Sequence, residues 1–335
     1  MSRPTHLPTA FLIGLTWFAL ALAIALMPAL ARGGGSEPSA FVSEQSLIVS
    51  DGLELQAANT GINEVPAPRK LEPLPLAWAE TPQLRDGATT APEISAANAL
   101  ILDEASLSVL FDKEGHNGVT PASLTKIATL ILALEQGDLD SWVEIDVDHT
   151  VMRGSTVMGL LPGDRFQLRD LLYGLMLPSG NDAALAIGRH IAGSDAGFVA
   201  QMNVLLTRFG LKDSRFSNPH GLGSTNHHAS AYDLAVLARY GMSLPEFKEI
   251  VTRPIWSAAG SRELAYANIN SFLFNYPGAD GIKTGYTRRA GPTLVASATR
   301  NGHRLYAVVL NAPMRDLDAA RLLNWAFANY VWPSR

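Results

Sequence analysis

The sequence predicts an α+β domain, because strand-like segments stand at both ends of a region whose middle is helical. Short continuous apolar runs occur between residues 99 and 111 and between 293 and 310, whereas apolar residues recur at helical spacing between them. The chain has 335 residues, 47% of them hydrophobic, which is enough for a sizeable core. We therefore expect one mixed domain in which strands from its two ends form the sheet.

The domain opens with a predicted hairpin and a central helix. Residues 99–103 and 107–111 are apolar runs separated by a short turn, as in two paired strands. After Pro121, helical spacing continues to a stop at Gly137 and is marked by Ile127, Leu130, Ile131 and Leu134. The other faces of this segment are also apolar, so we expect a buried helix in the middle of the domain, starting at Ser123.

The remaining elements follow from the same periodicities and from glycine and proline stops. Pro178 ends one helix, and Gly193 ends the next. The predicted helices cover residues 168–177, 182–191, 198–209, 231–240 and 318–330, and the predicted strands cover 293–298 and 305–310.

The N-terminal third indicates export. Residues 10–31 contain no charged residue, and a segment of that length can cross a bilayer core of about 30 Å. It is either a cleaved signal peptide or an uncleaved membrane anchor, and any membrane contact is expected through it alone. Residues 32–93 are rich in proline, glycine and alanine and are predicted to be a flexible linker, so the boundaries are 1–31, 32–93 and 94–332.

Composition excludes several classes of function. The chain has 26 Lys and Arg against 31 Asp and Glu and no basic run, which argues against a nucleic-acid partner. It has no cysteine, so thiolate catalysis and cysteine-bound zinc are excluded. His220, His227 and His228 lack a matching acidic ligand pattern, and we expect neither a metal nor a cofactor.

Three short motifs occur in order along the domain. They are Ser123-Leu124-Thr125-Lys126, Ser179-Gly180-Asn181 and Lys283-Thr284-Gly285. Each alone is a common string, but together they match the motif set of penicillin-binding proteins and class A β-lactamases. The trio indicates an acyl-transfer site.

The residue types fit that chemistry. Ser123 and Lys126 share one helix face, and a lysine that burial or a second cation keeps neutral can take the serine proton. Lys283 is a candidate for that cation, and its charge also suits a substrate carboxylate. Gly285 lies on a short extended segment, where it allows a peptide to approach the backbone of an edge strand.

Longer stretches around the motifs also match a known protein family. Residues 121–129 (PASLTKIAT), 178–184 (PSGNDAA), 216–222 (FSNPHGL) and 281–287 (GIKTGYT) carry the likeness. The chain resembles the serine-type D-Ala-D-Ala carboxypeptidases, low-molecular-mass penicillin-binding proteins of the β-lactamase/transpeptidase-like superfamily. The resemblance covers about residues 94–332 and implies a mostly antiparallel sheet flanked by a helical region.

The resemblance also implies a function and residue roles. The enzyme is expected to remove the terminal D-Ala from peptidoglycan stem peptides through an acyl-enzyme, and β-lactam antibiotics are expected to acylate it. The implied catalytic residues are Ser123, Lys126 and Ser179. The implied substrate-binding residues are Asn181, Lys283, Thr284, Gly285, Tyr286 and Arg315, and the oxyanion hole consists of the backbone N–H groups of Ser123 and Tyr286.

Several alternatives stay open at this point. A β-lactamase shares the chemistry, although no Glu-x-x-Leu-Asn segment follows Ser179 to position a deacylating water. A D,D-endopeptidase or transpeptidase differs only in the leaving group or the acyl acceptor. A catalytically silent wall-binding or β-lactam-sensing protein is the alternative from another class. Because the chain stops at Arg335, no C-terminal β-sandwich domain is expected.

Overall fold

The computed structural model describes residues 74–152, 154–223 and 225–333. The strands are β1 Gln83–Leu84, β2 Asn98–Asp103, β3 Val109–Lys113, β4 Trp142–Glu144, β5 Arg165–Gln167, β6 Ile255–Ala259, β7 Glu263–Ala267, β8 Ala279–Thr287, β9 Gly291–Arg300, β10 His303–Leu310 and β11 Tyr330–Val331. The helices are α1 Lys126–Gln136, α2 Leu168–Met176, α3 Asn181–Ala192, α4 Asp195–Arg208, α5 Ala231–Ser243, α6 Pro245–Thr252, α7 Ser271–Asn275 and α8 Arg315–Asn329.

A five-stranded antiparallel sheet organises the domain. Its order is β3-β2-β10-β9-β8, so strands from the two ends of the domain lie side by side. β2 pairs directly with β10, with Leu100 opposite Val308. The predicted α+β class, with a sheet built from both ends, is therefore confirmed.

The sheet is covered on both faces. Alternate side chains of a strand point to opposite faces, and in β2 and β10 both sets are apolar and buried. Leu100, Leu102 and Val308 belong to the core shared with the helical region, whereas Ile101 and Val309 pack in a second core with α8. Strands buried on both faces lack polar alternation, which explains their continuous apolar runs.

α1 lies in the middle of the domain, as predicted. Every residue from Lys126 to Glu135 is buried, and the helix ends at Gly137. The α-helix itself begins at Lys126, because residues 122–125, including Ser123, form a tighter 3-10 turn that leads into it. The lysine of the first motif therefore lies in the core, and the serine lies at the entry to the helix.

Most predicted boundaries agree with the structure to within a few residues. The largest remaining differences are three residues: α8 begins at Arg315 rather than at Asp318, α4 begins at Asp195 rather than at Phe198, and α5 ends at Ser243 rather than at Tyr240. The hairpin of β6 and β7 was not predicted. Its side chains are mostly exposed or half-buried, so the segment shows no apolar alternation.

The chain from Leu74 onward contacts the domain. Arg239 of α5 donates hydrogen bonds to the carbonyl oxygens of Pro75 (2.6 Å) and Leu76 (3.1 Å), and β1 pairs with β11. The boundary at residue 94 stays a prediction. Within the described ranges no helix is long and apolar enough to cross a membrane, and residues 10–31 lie outside those ranges.

Candidate active site

The three motifs converge on one cleft of about 400 Å³. Strand β8 forms one wall, and the turn before α3 faces it together with residues 154–156. Seven of the nine predicted site residues line this cleft: Ser123, Ser179, Asn181, Thr284, Gly285, Tyr286 and Arg315. The other two, Lys126 and Lys283, are almost fully buried.

Lys126 connects the first two motifs. Its Nζ lies 3.0 Å from Ser123 Oγ and 2.5 Å from Asn181 Oδ1, and it also donates to the carbonyl oxygen of His220 at 3.1 Å. All three partners are neutral acceptors, and none is a carboxylate. The ammonium form would therefore donate hydrogen bonds but, within the described residues, make no contact ion pair, which is a costly state for a buried charge.

Burial sets the protonation of both lysines. It lowers the pKa of Lys126 well below its ordinary value, and the nearby charge of Lys283 lowers it further, while Asp182 opposes the shift. Burial and the charge of Arg315 lower the pKa of Lys283 to about 7. A neutral Lys126 amine at 3.0 Å from Ser123 Oγ can accept the serine proton.

The second motif contributes the Ser179 hydroxyl to the lining of the cleft. Ser179 has a left-handed backbone (φ 66°), and its buried Oγ has no hydrogen-bond partner in the described part of the chain. Asn181, the first residue of α3, donates to Ser155 Oγ at 2.7 Å. Thr156 Oγ1 donates to the Ser179 carbonyl oxygen at 2.7 Å and so ties the turn to the opposite loop.

Asp182 fixes that loop to the start of α3. Its buried carboxylate accepts the backbone N–H groups of Met158 (2.7 Å), Gly159 (2.7 Å) and Leu160 (2.9 Å). A carboxylate at a helix N-terminus is also favoured by the helix dipole. Asp182 therefore holds the loop that supplies Ser155 and Thr156 to the cleft, together with the bonds made by Asn181 and Thr156.

The third motif lies on β8, one of the two edge strands of the five-stranded sheet. A Cβ at Gly285 would lie 2.5 Å from Thr293 Oγ1 and 3.0 Å from the Ser123 nitrogen, so only glycine lets this strand pass beside the nucleophile. Arg315 Nη1 donates to the Gly285 carbonyl oxygen at 3.0 Å. The Tyr286 side chain is exposed, and the residue lines the cleft next to Gly285.

Some residues of the cleft were missed by sequence reasoning. Ser155 and Thr156 contribute through hydroxyl groups, and His220 contributes through its carbonyl oxygen. A single serine or a backbone carbonyl carries no sequence signal that distinguishes it from others. Within the described ranges no three His, Asp or Glu side chains are grouped so that they could hold a metal ion.

A serine beside a buried lysine, with a second serine and an edge strand across the cleft, defines a serine acyl-transfer site of the penicillin-binding type. A family model described as D-alanyl-D-alanine carboxypeptidase (peptidase family S11) matches residues 86–314. The chain belongs to this family.

Individual relatives agree with the family. The chain is 32% identical over 253 residues to D-alanyl-D-alanine carboxypeptidase DacF of Bacillus subtilis, covering 70% of this chain and 63% of the relative. It is 36% identical over 258 residues to DacD of Escherichia coli, covering 72% and 65%. The chain thus spans slightly less than two thirds of these curated relatives. The crystal structure of the Streptomyces K15 DD-transpeptidase is similar with a TM-score of 0.69 at 31% identity, covering 72% of this chain and all of that one.

Proposed function

We propose that this protein is a serine-type D-Ala-D-Ala carboxypeptidase that removes the terminal D-Ala from peptidoglycan stem peptides. One observation carries the proposal: the Nζ of a buried lysine, whose pKa is lowered, lies 3.0 Å from the hydroxyl of Ser123 in a cleft walled by an edge strand. Family membership and the names of the relatives support the choice of substrate.

In the acylation step, Ser123 Oγ attacks the carbonyl carbon of the penultimate D-Ala and passes its proton to the neutral Lys126 amine. The carbonyl oxygen becomes an oxyanion, which the backbone N–H groups of Ser123 and Tyr286 stabilise in our proposal. The substrate carboxylate lies toward Lys283, Thr284 and Arg315, whose two cations and hydroxyl suit an anion.

The intermediate then collapses. The C–N bond breaks, the leaving nitrogen takes a proton through the Ser179 hydroxyl, and free D-Ala departs. Ser179 suits this relay because its buried Oγ has no hydrogen-bond partner among the described residues, which leaves it available to Lys126 and the leaving group in the proposed step. Attack by water on the Ser123 ester releases the shortened peptide and restores the enzyme.

This substrate places the enzyme in the extracytoplasmic cell envelope. Residues 10–31 supply the export signal or tether in this proposal, and penicillin, whose amide mimics the scissile bond, acts as a covalent inhibitor. The absence of a Glu-x-x-Leu-Asn segment after Ser179 predicts that the penicillin adduct is long-lived.

The test combines an adduct map with product release. Purified protein is incubated with penicillin, and the modified residue is located by mass spectrometry, while D-Ala release is followed on a D-Ala-D-Ala pentapeptide. We expect the adduct on Ser123 and loss of both signals in Ser123→Ala. Ser257→Ala, an exposed serine on β6, is the matched control and should behave as wild type.

Three outcomes contradict the proposal. An adduct on another residue would overturn the mechanism, and a folded protein that binds peptidoglycan without releasing D-Ala would be a binding protein. Hydrolysed penicillin that accumulates rapidly would instead identify a β-lactamase.

Transpeptidation is the second candidate, because the similar Streptomyces K15 structure is that of a DD-transpeptidase. It uses the same acyl-enzyme and differs only in the acceptor, an amine instead of water. Adding labelled glycine to the peptide assay separates the two. Label in the peptide at a rate above that of hydrolysis favours transpeptidation.

A further inference from the structure

A chain of hydrogen bonds runs from a histidine outside the cleft to the backbone beside the nucleophile. The backbone N–H of Ser217 donates to His227 Nδ1 at 3.0 Å, and His227 Nε2 lies 2.8 Å from Thr125 Oγ1. The Thr125 hydroxyl in turn lies 2.9 Å from the carbonyl oxygen of Ala122. Thr125 is fully buried and His227 nearly so.

The protons in this series of hydrogen bonds have only one consistent arrangement. A backbone N–H always donates, so His227 Nδ1 must be the unprotonated nitrogen that accepts from Ser217. In the neutral ring the proton then lies on Nε2, which donates to Thr125 Oγ1. Burial lowers the pKa of His227 to about 4, so the ring is neutral at physiological pH. The threonine hydroxyl is thereby left to donate its own hydrogen to Ala122.

The Ala122 carbonyl oxygen, the last acceptor in this series of hydrogen bonds, belongs to the same peptide unit as the Ser123 N–H, the proposed oxyanion donor. The Ala122 carbonyl and the Ser123 N–H lie on opposite sides of one planar trans peptide, so fixing the oxygen fixes the direction of the N–H. Ala122 has a left-handed backbone (φ 53°), which a non-glycine residue adopts only when its surroundings hold it.

The surroundings of this peptide are tightly built. A Cβ at Gly221 would lie 1.8 Å from the Ala122 oxygen, so the 216–222 loop packs directly against the carbonyl. Two backbone pairs directly follow His227 in the sequence. Val119 and Ala229 exchange hydrogen bonds of 3.1 and 2.8 Å, and Arg215 and His228 exchange bonds of 2.8 and 2.9 Å. The backbone that carries the His227 ring is therefore held in place by these hydrogen bonds.

We propose that His227 is a positioning residue: through the Thr125 hydroxyl it orients the Ser123 N–H toward the oxyanion of the acylation step. The inference rests on the proposed function, because an oxyanion forms only if Ser123 is acylated. His227 touches neither substrate nor reacting atoms.

The expected effect is smaller than the loss of a donor. Removing one oxyanion-hole donor costs about 10²- to 10³-fold in rate. Loss of the hydroxyl leaves the Ser123 N–H in place but frees its peptide to rotate. We therefore expect the acylation rate with penicillin to fall about 10- to 100-fold in Thr125→Val and in His227→Phe, with little change in the noncovalent affinity.

Conservative variants and a matched control separate positioning from folding. Thr125→Ser keeps the hydroxyl and should acylate at close to the wild-type rate, and His227→Gln keeps a donor at similar reach and should recover part of the loss. Thr129→Val removes an equivalent buried hydroxyl bond on α1, from Thr129 Oγ1 to the Pro219 carbonyl oxygen at 2.6 Å. It should match Thr125→Val in thermal stability.

A spectroscopic readout reports on the oxyanion hole itself. The ester carbonyl of the acyl-enzyme, labelled with ¹³C through the penicillin, absorbs at lower frequency when the N–H groups hydrogen-bond to it. Thr125→Val and His227→Phe should shift this infrared band to higher frequency, whereas Thr129→Val should leave it in place.

An unshifted band in Thr125→Val and His227→Phe, or an equal shift in Thr129→Val, would overturn the inference. The wild-type control keeps this result apart from the proposed function. If the wild-type protein is not acylated at Ser123, the proposed function fails. If it is acylated and the variants match it, only the role of His227 fails.

Discussion

Lys283→Met should make this protein more stable at neutral pH. Burial and Arg315 lower the pKa of Lys283 to about 7, whereas the value for an exposed lysine is 10.5. Because each pKa unit corresponds to about 1.4 kcal/mol, protonation of the unfolded chain lowers the free energy of unfolding by about 4 kcal/mol at pH 7 relative to alkaline pH. The variant also loses the bond from Lys283 Nζ to the Thr284 carbonyl oxygen (3.1 Å).

That lost bond offsets roughly 1 to 2 kcal/mol, so we expect a net gain of about 2 to 3 kcal/mol at pH 7. The sign of the pH dependence follows from the lowered pKa. The unfolded state binds the extra proton between pH 7 and 10.5, so the wild-type free energy of unfolding rises with pH in that window. The advantage of the variant should therefore shrink toward pH 10.5 and level off below pH 7.

Urea denaturation of both proteins at several pH values between 6 and 10.5 measures this difference. Lys248→Met is the control, because Lys248 is exposed on α6 and no burial is relieved. A Lys283→Met protein that is less stable than wild type at pH 7 would refute the reasoning. So would a stability difference that stays constant between pH 7 and 10.

Three further predictions concern the walls of the cleft. Lys126→Arg should abolish penicillin acylation of Ser123, because a guanidinium stays protonated and cannot take the serine proton. In the wild type the acylation rate should fall as pH drops through the Lys126 pKa. Acylation of the arginine variant would contradict the role of Lys126 as the base. Gly285→Ala should slow acylation at least tenfold, since the added Cβ would lie 3.0 Å from the Ser123 nitrogen. The control Gly302→Ala, which has open space around the added Cβ, should cost only about 1 to 2 kcal/mol of stability. Asp182→Asn should destabilise the protein by about 2 to 3 kcal/mol in thermal denaturation, because an amide cannot accept three backbone N–H groups. An unchanged melting midpoint would refute the role of Asp182 in holding the loop.

The sequence predicted the central helix because its signals are local. Ile127, Leu130 and Ile131 recur at helical spacing, and Gly137 gives the stop. Burial of the whole helix followed from apolar residues on its remaining faces. The position of Lys126 in the core was therefore predictable from periodicity, and with it the direction of its pKa shift.

The assembly of the cleft was not predictable from local patterns. Ser123 and Gly285 are far apart in the chain and meet because β8 lies next to the nucleophile turn. Residue patterns specify strands but not their order, so only the resemblance to a known family brought the motifs together. Contacts made by backbone atoms, such as the carbonyl of His220 on Lys126, have no side-chain pattern at all.

The burial that makes Lys126 a base also has a cost for the stability of the fold. Burial lowers the pKa of Lys126, and among the residues that the structure describes no carboxylate contacts its Nζ to offset the cost of burying a polar group. The apolar faces of α1, which pack against the surrounding helices α2 to α6, supply the compensating burial. Weakening that core should therefore raise the Lys126 pKa toward its ordinary value, so that in a folded core variant far from the cleft the acylation rate falls at a higher pH than in the wild type.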